Sequence, residues 1–271
     1  MNNIQTQFLG YINTPSLFKE LDGLKQFSLD TNEIKDFDLS KLHISKRLTL
    51  GSYVERFFEF YINQSKNYDL IKNNIQIINN KHTFGELDFI IYDKKEEKYL
   101  HIEHVYKFYL YDDSIINEKD RYIGPNKNDT FVKKLLKLNT RQLPLLFNNV
   151  TQEYLDDIDI DSIEQNICFK GNIYLPLHLI DTKIPIIDDA CVKGFYLKCE
   201  EFVTQEKFRS LEYFLPDRFD WVCDPDINDN WVSFDEVIVE IDLIVKCEKS
   251  PLVWLRDIET NTTKSFFITW W

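Results

Sequence analysis

Residues 83–110 read TFGELDFIIYDKKEEKYLHIEHVYKFYL, and this stretch decides the fold. Thr83–Tyr92 is rich in β-branched and aromatic residues, Asp93-Lys94-Lys95-Glu96-Glu97 is a polar tip, and Tyr99–Leu110 runs back. The pattern predicts a β-hairpin. Residues i and i+2 of a strand share a face, so Glu86 pairs with Asp88, and His101, Glu103, Val105 and Lys107 form a second row. Carboxylates and a lysine on strands about 5 Å apart suit a hard divalent cation, which takes oxygen ligands. Acids this close repel one another unless a cation stands between them. The competing reading is a solvated face with cross-strand ion pairs, each worth about a few tenths of a kcal/mol. Against it, Asp88 interrupts the apolar run Leu87, Phe89, Ile90, Ile91, and Glu103 lies between Ile102 and Val105. Acids set in apolar strands are costly unless paired or metal-bound. Spacing alone leaves both readings open.

Upstream, residues 50–64 (LGSYVERFFEFYINQ) repeat apolar side chains at helical spacing, with Ser52 as the expected N-cap and Glu55 three residues on, as in a capping box. A weaker strand over Asn74–Ile78 and a turn at Asn79-Asn80-Lys81 join this helix to the hairpin. Downstream come a polar loop over 112–128 with Gly124-Pro125-Asn126, a helix over Asp129–Asn148 that Pro144 kinks or ends, and a strand region at Ile163–Leu177. Beyond residue 180 short β-like runs recur, among them Val237–Cys247, with one helix expected near Thr204–Phe214. All five tryptophans lie in Trp221–Trp271, where packing is the expected role.

The order predicts an α/β protein with a mixed sheet: a core of helix, three-strand meander, helix and strand over residues 1–180, including an N-terminal helical extension, and a β-rich region over 181–271.

The chain has 271 residues and a formal net charge of −13. That charge disfavours broad binding to nucleic acid and requires a local basic patch if nucleic acid is the substrate. Lys133, Lys137 and Arg141 supply one, at i, i+4 and i+8 of the second helix, with Gln142 beside them. The five cysteines form no CxxC pair, which disfavours a zinc site or a disulfide framework. No stretch approaches the roughly 20 apolar residues of a membrane span, and no secretory signal is visible, so a cytoplasmic location is expected. With 7 glycines the chain shows neither GxGxxG nor a P-loop. Nothing in the sequence fixes an oligomeric state.

The succession of LGxxxE (Leu50, Gly51, Glu55), GELDFI and HIEHVYKFYL resembles the PD-(D/E)XK nuclease superfamily. More closely, it resembles the bacterial domain-of-unknown-function family 1853, which has been grouped with that superfamily. Gly85-Glu86-Leu87-Asp88, Glu103 with Lys107-Phe108-Tyr109-Leu110, Gly124-Pro125-Asn126 and Gln142-Leu143-Pro144-Leu145 carry the closer match. The resemblance implies a restriction-endonuclease-like core and a metal-dependent nuclease, with Mg2+ or Mn2+ held by Asp88 and Glu103, Glu55 as an accessory acid, and Lys107 as the site lysine. One departure stands out. The superfamily separates this acid and lysine by one residue, whereas here three intervene, which places Lys107 about 13 Å along the strand from Glu103. That departure and the net charge sustain a rival reading: a nuclease-like protein without catalysis that binds nucleic acid or a protein. His101 shares the Glu103 face, but a satisfied strand histidine is the expected role. Glu86 is either a secondary ligand or a surface charge.

Overall fold

A computed structural model describes residues 3–45 and 47–271. The helices are α1 (Asn3–Asn13), α2 (Leu50–Gln64), α3 (Phe131–Lys137), α4 (Cys199–Thr204) and α5 (Phe234–Lys246). The strands are β1 (Glu20–Leu21), β2 (Leu24–Lys25), β3 (Tyr68–Asn79), β4 (His82–Asp93), β5 (Lys98–Tyr111), β6 (Tyr122–Ile123), β7 (Glu164–Pro176), β8 (Val192–Lys198), β9 (Glu212–Phe214), β10 (Leu252–Asp257) and β11 (Thr262–Thr269). The protein is a mixed α/β structure with a large mixed sheet. Among the described residues no helix is long and apolar enough to cross a membrane.

The chain forms two compact units from interleaved segments. The first comprises residues 16–106 and 133–170. Its strand order is β3-β4-β5-β7, with β3, β4 and β5 an antiparallel meander. The turn between β3 and β4 puts Asn80 and Lys81 at φ +48° and +66°, the left-handed pair that matches the twist of a two-residue hairpin. Helix α2 forms because its apolar residues repeat every three or four positions, and it buries Tyr53, Val54, Phe57, Phe58, Tyr61 and Ile62. Phe58 meets Phe89 of β4 with ring centroids 4.7 Å apart, which fixes the helix on the meander. The N-cap is Thr49, whose hydroxyl accepts from the Ser52 backbone at 3.3 Å, so Ser52 sits inside the first turn rather than capping it.

The second helix, expected over Asp129–Asn148 with a kink or end at Pro144, is regular only over Phe131–Lys137. After α3 the chain widens into a π-turn over Leu138–Gln142 and then tightens into a 3-10 turn over Leu143–Phe147, with Pro144 at its start. Proline has no N–H to lose there.

The second unit comprises residues 1–15, 107–132 and 171–271, with strand order β7-β8-β11-β10-β9 and β6 on the end of β5. Strands β7, β8 and β11 are parallel, and β11, β10 and β9 are antiparallel. This region is less β-rich than its sequence suggests. Val237–Cys247 is not a strand but the body of α5: Ser233 and Glu236 close a capping box, and Phe234, Val237 and Ile241 fall on one buried face. The helix expected near Thr204–Phe214 lies earlier, as α4, and Glu212–Phe214 is β9.

Candidate functional site

The meander positions the acids. Phe89 of β4 faces Ile102 of β5, so Asp88 and Glu103 are neighbours at the next level. Asn73 and Ile75 of β3 face Phe89 and Leu87, which puts Asn74 at the level of Asp88 on the other side. Asn74 has φ +50°, a conformation that asparagine tolerates better than most residues. Its Nδ2 donates to Glu55 Oε1 from α2 at 2.7 Å. Glu55, Asn74, Asp88 and Glu103 thus come from one helix and three adjacent strands.

The acids feel one another. Burial, then the charge of Glu103, pushes Asp88 up to about 7, against the pull of the His104 backbone N–H, which donates to its Oδ2 at 2.8 Å. Glu103, wholly buried, is also pushed up to about 7 by burial, with Lys134 and hydrogen bonding to Asp88 opposing. Burial and the charge of Asp88 push Glu55 to about 7, with Glu86 adding to the effect and Arg56 opposing it. Charged carboxylates this crowded call for a compensating cation or shared protons.

Glu103 is clamped on both oxygens. Gln165 Nε2 donates to His101 Nδ1 at 3.0 Å and to the Leu143 carbonyl at 2.7 Å. With Nδ1 accepting, Nε2–H of His101 donates to Glu103 Oε1 at 3.1 Å. His101 is wholly buried, and burial lowers its pKa to about 4, so it is neutral at physiological pH and acts as a fixed donor. Gln142 Nε2 donates to Glu103 Oε2, and Gln142 Oε1 accepts from Lys134 Nζ at 2.8 Å. A line of contacts therefore runs from Lys134 through Gln142, Glu103 and His101 to Gln165.

The π-turn makes this line possible. Eight residues separate Lys134 from Gln142, and a regular helix at 3.6 residues per turn would leave them about 80° apart. One α turn plus one wider π turn takes about eight residues, so the two side chains stack on the same side. Among the lysines whose charge acts on the acids, Lys134 leads: it lowers the pKa of both Asp88 and Glu103.

The other expected residues divide. Lys137 acts on Glu103 electrostatically, while the side chains of Lys133 and Arg141 are exposed. Gln142, expected on the nucleic-acid face, instead spends its amide on Glu103 and Lys134. Lys107 belongs to the second unit, where its ammonium pairs with Asp129. Sequence reasoning placed Lys134 near the basic stripe but gave it no role at the acids, missed Gln165 and undervalued His101.

Among the described residues no three His, Cys, Asp or Glu side chains converge on one point as a ready ion site. A magnesium ion needs only one or two carboxylates and fills its remaining positions with water. Asp88 and Glu103 are the two that would supply them. Asn74 Oδ1 is buried with no hydrogen-bond partner while its amide nitrogen holds Glu55, an orphaned oxygen that a cation or its water would satisfy. The all-oxygen donor set fits Mg2+ or Mn2+.

A family model described as "Domain of unknown function (DUF1853)" matches residues 10–265. The chain belongs to this family. No curated protein and no solved structure matches this chain. For this DUF1853 protein, function has to be argued from the site itself.

Proposed function

We propose that this DUF1853 protein is a cytoplasmic, metal-dependent nuclease-like hydrolase of phosphodiester bonds, built on a restriction-endonuclease-like core of α2, the β3-β4-β5 meander, α3 and β7. The observation that carries the reading is the row of neighbouring acids Glu55, Asp88 and Glu103, each with its pKa raised to about 7 by burial, with the charge of a neighbouring acid adding to it at Asp88 and Glu55. Bound Mg2+ or Mn2+ would lower the pKa of a water and neutralise charge on phosphoryl oxygens. Asp88 and Glu103 would hold the cation, with His101 and Gln142 fixing the orientation of Glu103. Glu55 titrates where a general base works best and is partly exposed, so it can take a proton from water. Lys134 takes the electrostatic role that the resemblance assigned to Lys107. Lys133, Lys137 and Arg141 offer the basic contact that an acidic protein needs for nucleic acid.

One observation favours the rival reading, a nuclease-like binding module. Both oxygens of Glu103 already accept hydrogen bonds from the protein. The deciding assay is Mg2+- or Mn2+-dependent cleavage of single- and double-stranded DNA and of RNA by the wild type, Asp88→Asn and Glu103→Gln. The nuclease reading expects a loss of about 100-fold or more in both variants. Equal activity in all three overturns it, and an inactive wild type that binds nucleic acid establishes the rival.

A further inference from the structure

A second site lies in the unit formed by residues 1–15, 107–132 and 171–271. Strands β7, β8 and β11 lie side by side and parallel, and their carboxyl ends at Pro176, Lys198 and Thr269 open into a cavity of about 640 Å3. Open α/β sheets place ligands at this end of their strands, where loops rather than paired backbone form the walls. The volume is that of a small-molecule site.

The charges around the cavity are unevenly engaged. Each acid that lines it already has a protein donor. Asp112 accepts from the Ser114 backbone at 3.1 Å and hydroxyl at 2.6 Å, Asp113 from His178 at 3.2 Å, and Glu201 from the Lys198 backbone at 2.9 Å. Among the described residues the lining lysines, Lys127, Lys198 and Lys207, form no ion pair; Lys127 Nζ lies 3.9 Å from the centre of the Trp271 ring, and Lys207 Nζ lies 5.1 Å from that of Phe208. Ammonium groups resting on rings are available to an incoming anion at little cost, because a cation–π contact is weak beside a charge-assisted hydrogen bond. Trp271 is held rigid by its indole N–H, which donates to the Pro125 carbonyl at 2.9 Å, and the Tyr196 ring lies 6.1 Å away. Lysines without an acid partner beside a fixed aromatic wall match a ligand with a phosphate and a flat ring.

We infer that this cavity binds a nucleoside monophosphate, the phosphate drawing Lys127, Lys198 and Lys207 and the base lying against Trp271. The site shares no residue with the acid cluster of β4 and β5 and does not rest on the nuclease reading.

The test is calorimetric titration of the full chain with AMP, adenosine and inorganic phosphate, for the wild type, Lys127→Ala, Trp271→Ala and Asp88→Asn, with folding of each variant checked by circular dichroism. AMP is expected to bind at one site, with adenosine and phosphate each at least about tenfold weaker. Lys127→Ala should weaken AMP about tenfold and flatten its salt dependence. Trp271→Ala should weaken AMP but not phosphate, and Asp88→Asn should change nothing. Absence of AMP binding, phosphate binding as tight as AMP, indifference to both the lysine and the tryptophan change, or loss of binding in Asp88→Asn would each overturn the inference.

Discussion

Replacing Asp88 with asparagine should stabilise the protein at alkaline pH and hardly affect it in acid. In the fold the carboxyl is pushed from 3.8 up to about 7. An acid whose pKa is raised on folding binds more protons folded than unfolded between those two values, so stability falls as pH rises through that window and the full penalty is present above about 7. At about 1.4 kcal/mol for each tenfold change in proton affinity, that rise sets a ceiling of about 4 kcal/mol on the penalty. The asparagine side chain would keep an oxygen to accept the His104 N–H, so the packing and the 2.8 Å hydrogen bond survive while the charge is removed. We expect a gain of about 2–4 kcal/mol at pH 8, shrinking to near zero at pH 4, read from urea unfolding midpoints and slopes at pH 4, 5, 6, 7 and 8. A variant no more stable than the wild type at pH 8, or a difference that does not change with pH, would refute the claim that burial and the charge of Glu103 hold Asp88 far above its usual range in the fold.

Other perturbations probe neighbouring parts of the account. Lys134→Met removes the cation that opposes the pKa rise of Asp88 and Glu103, so it should cost about 1 kcal/mol more at pH 8 than at pH 5 in the same assay. Ser233→Ala removes the capping-box hydroxyl of α5, bonded to Glu236 at 2.6 Å, and should lower stability by about 1 kcal/mol in chemical denaturation. Gly194→Ala would build a Cβ only 2.0 Å from the Ser265 carbonyl oxygen on the neighbouring parallel strand; thermal unfolding should show a loss of about 1–3 kcal/mol.

The parts of the fold set by local patterns were legible in the sequence. Helix α2 declared itself through its apolar repeat, and β4 and β5 through alternation and a polar tip, which set Asp88 and Glu103 on adjacent strands; the choice of those two acids and the part given to Glu55 came only from the family resemblance. Helix α5 was hidden because Val237, Ile238, Val239, Ile241, Ile244 and Val245 favour strands individually, and only the box at Ser233 and Glu236 betrays the helix. The π-turn over Leu138–Gln142 leaves no mark in a 3.6-residue reading, and with it went the alignment of Lys134 with Gln142. His101 read as an ordinary strand histidine because Gln165, which fixes its tautomer, lies 64 residues away in sequence. Contacts across such distances depend on the sheet order, and no local spacing encodes them.

The central claim is that Asp88 and Glu103, with Glu55 and Asn74 beside them, form a site for a divalent cation. Calorimetric titration of Mn2+ into the wild type, Asp88→Asn and Glu103→Gln at pH 7.5 tests it most directly. The account predicts one bound ion in the wild type, competed by Mg2+, and about tenfold or greater loss of affinity in each variant while the fold is retained. Undiminished binding in both variants, or no binding by the wild type, would contradict it.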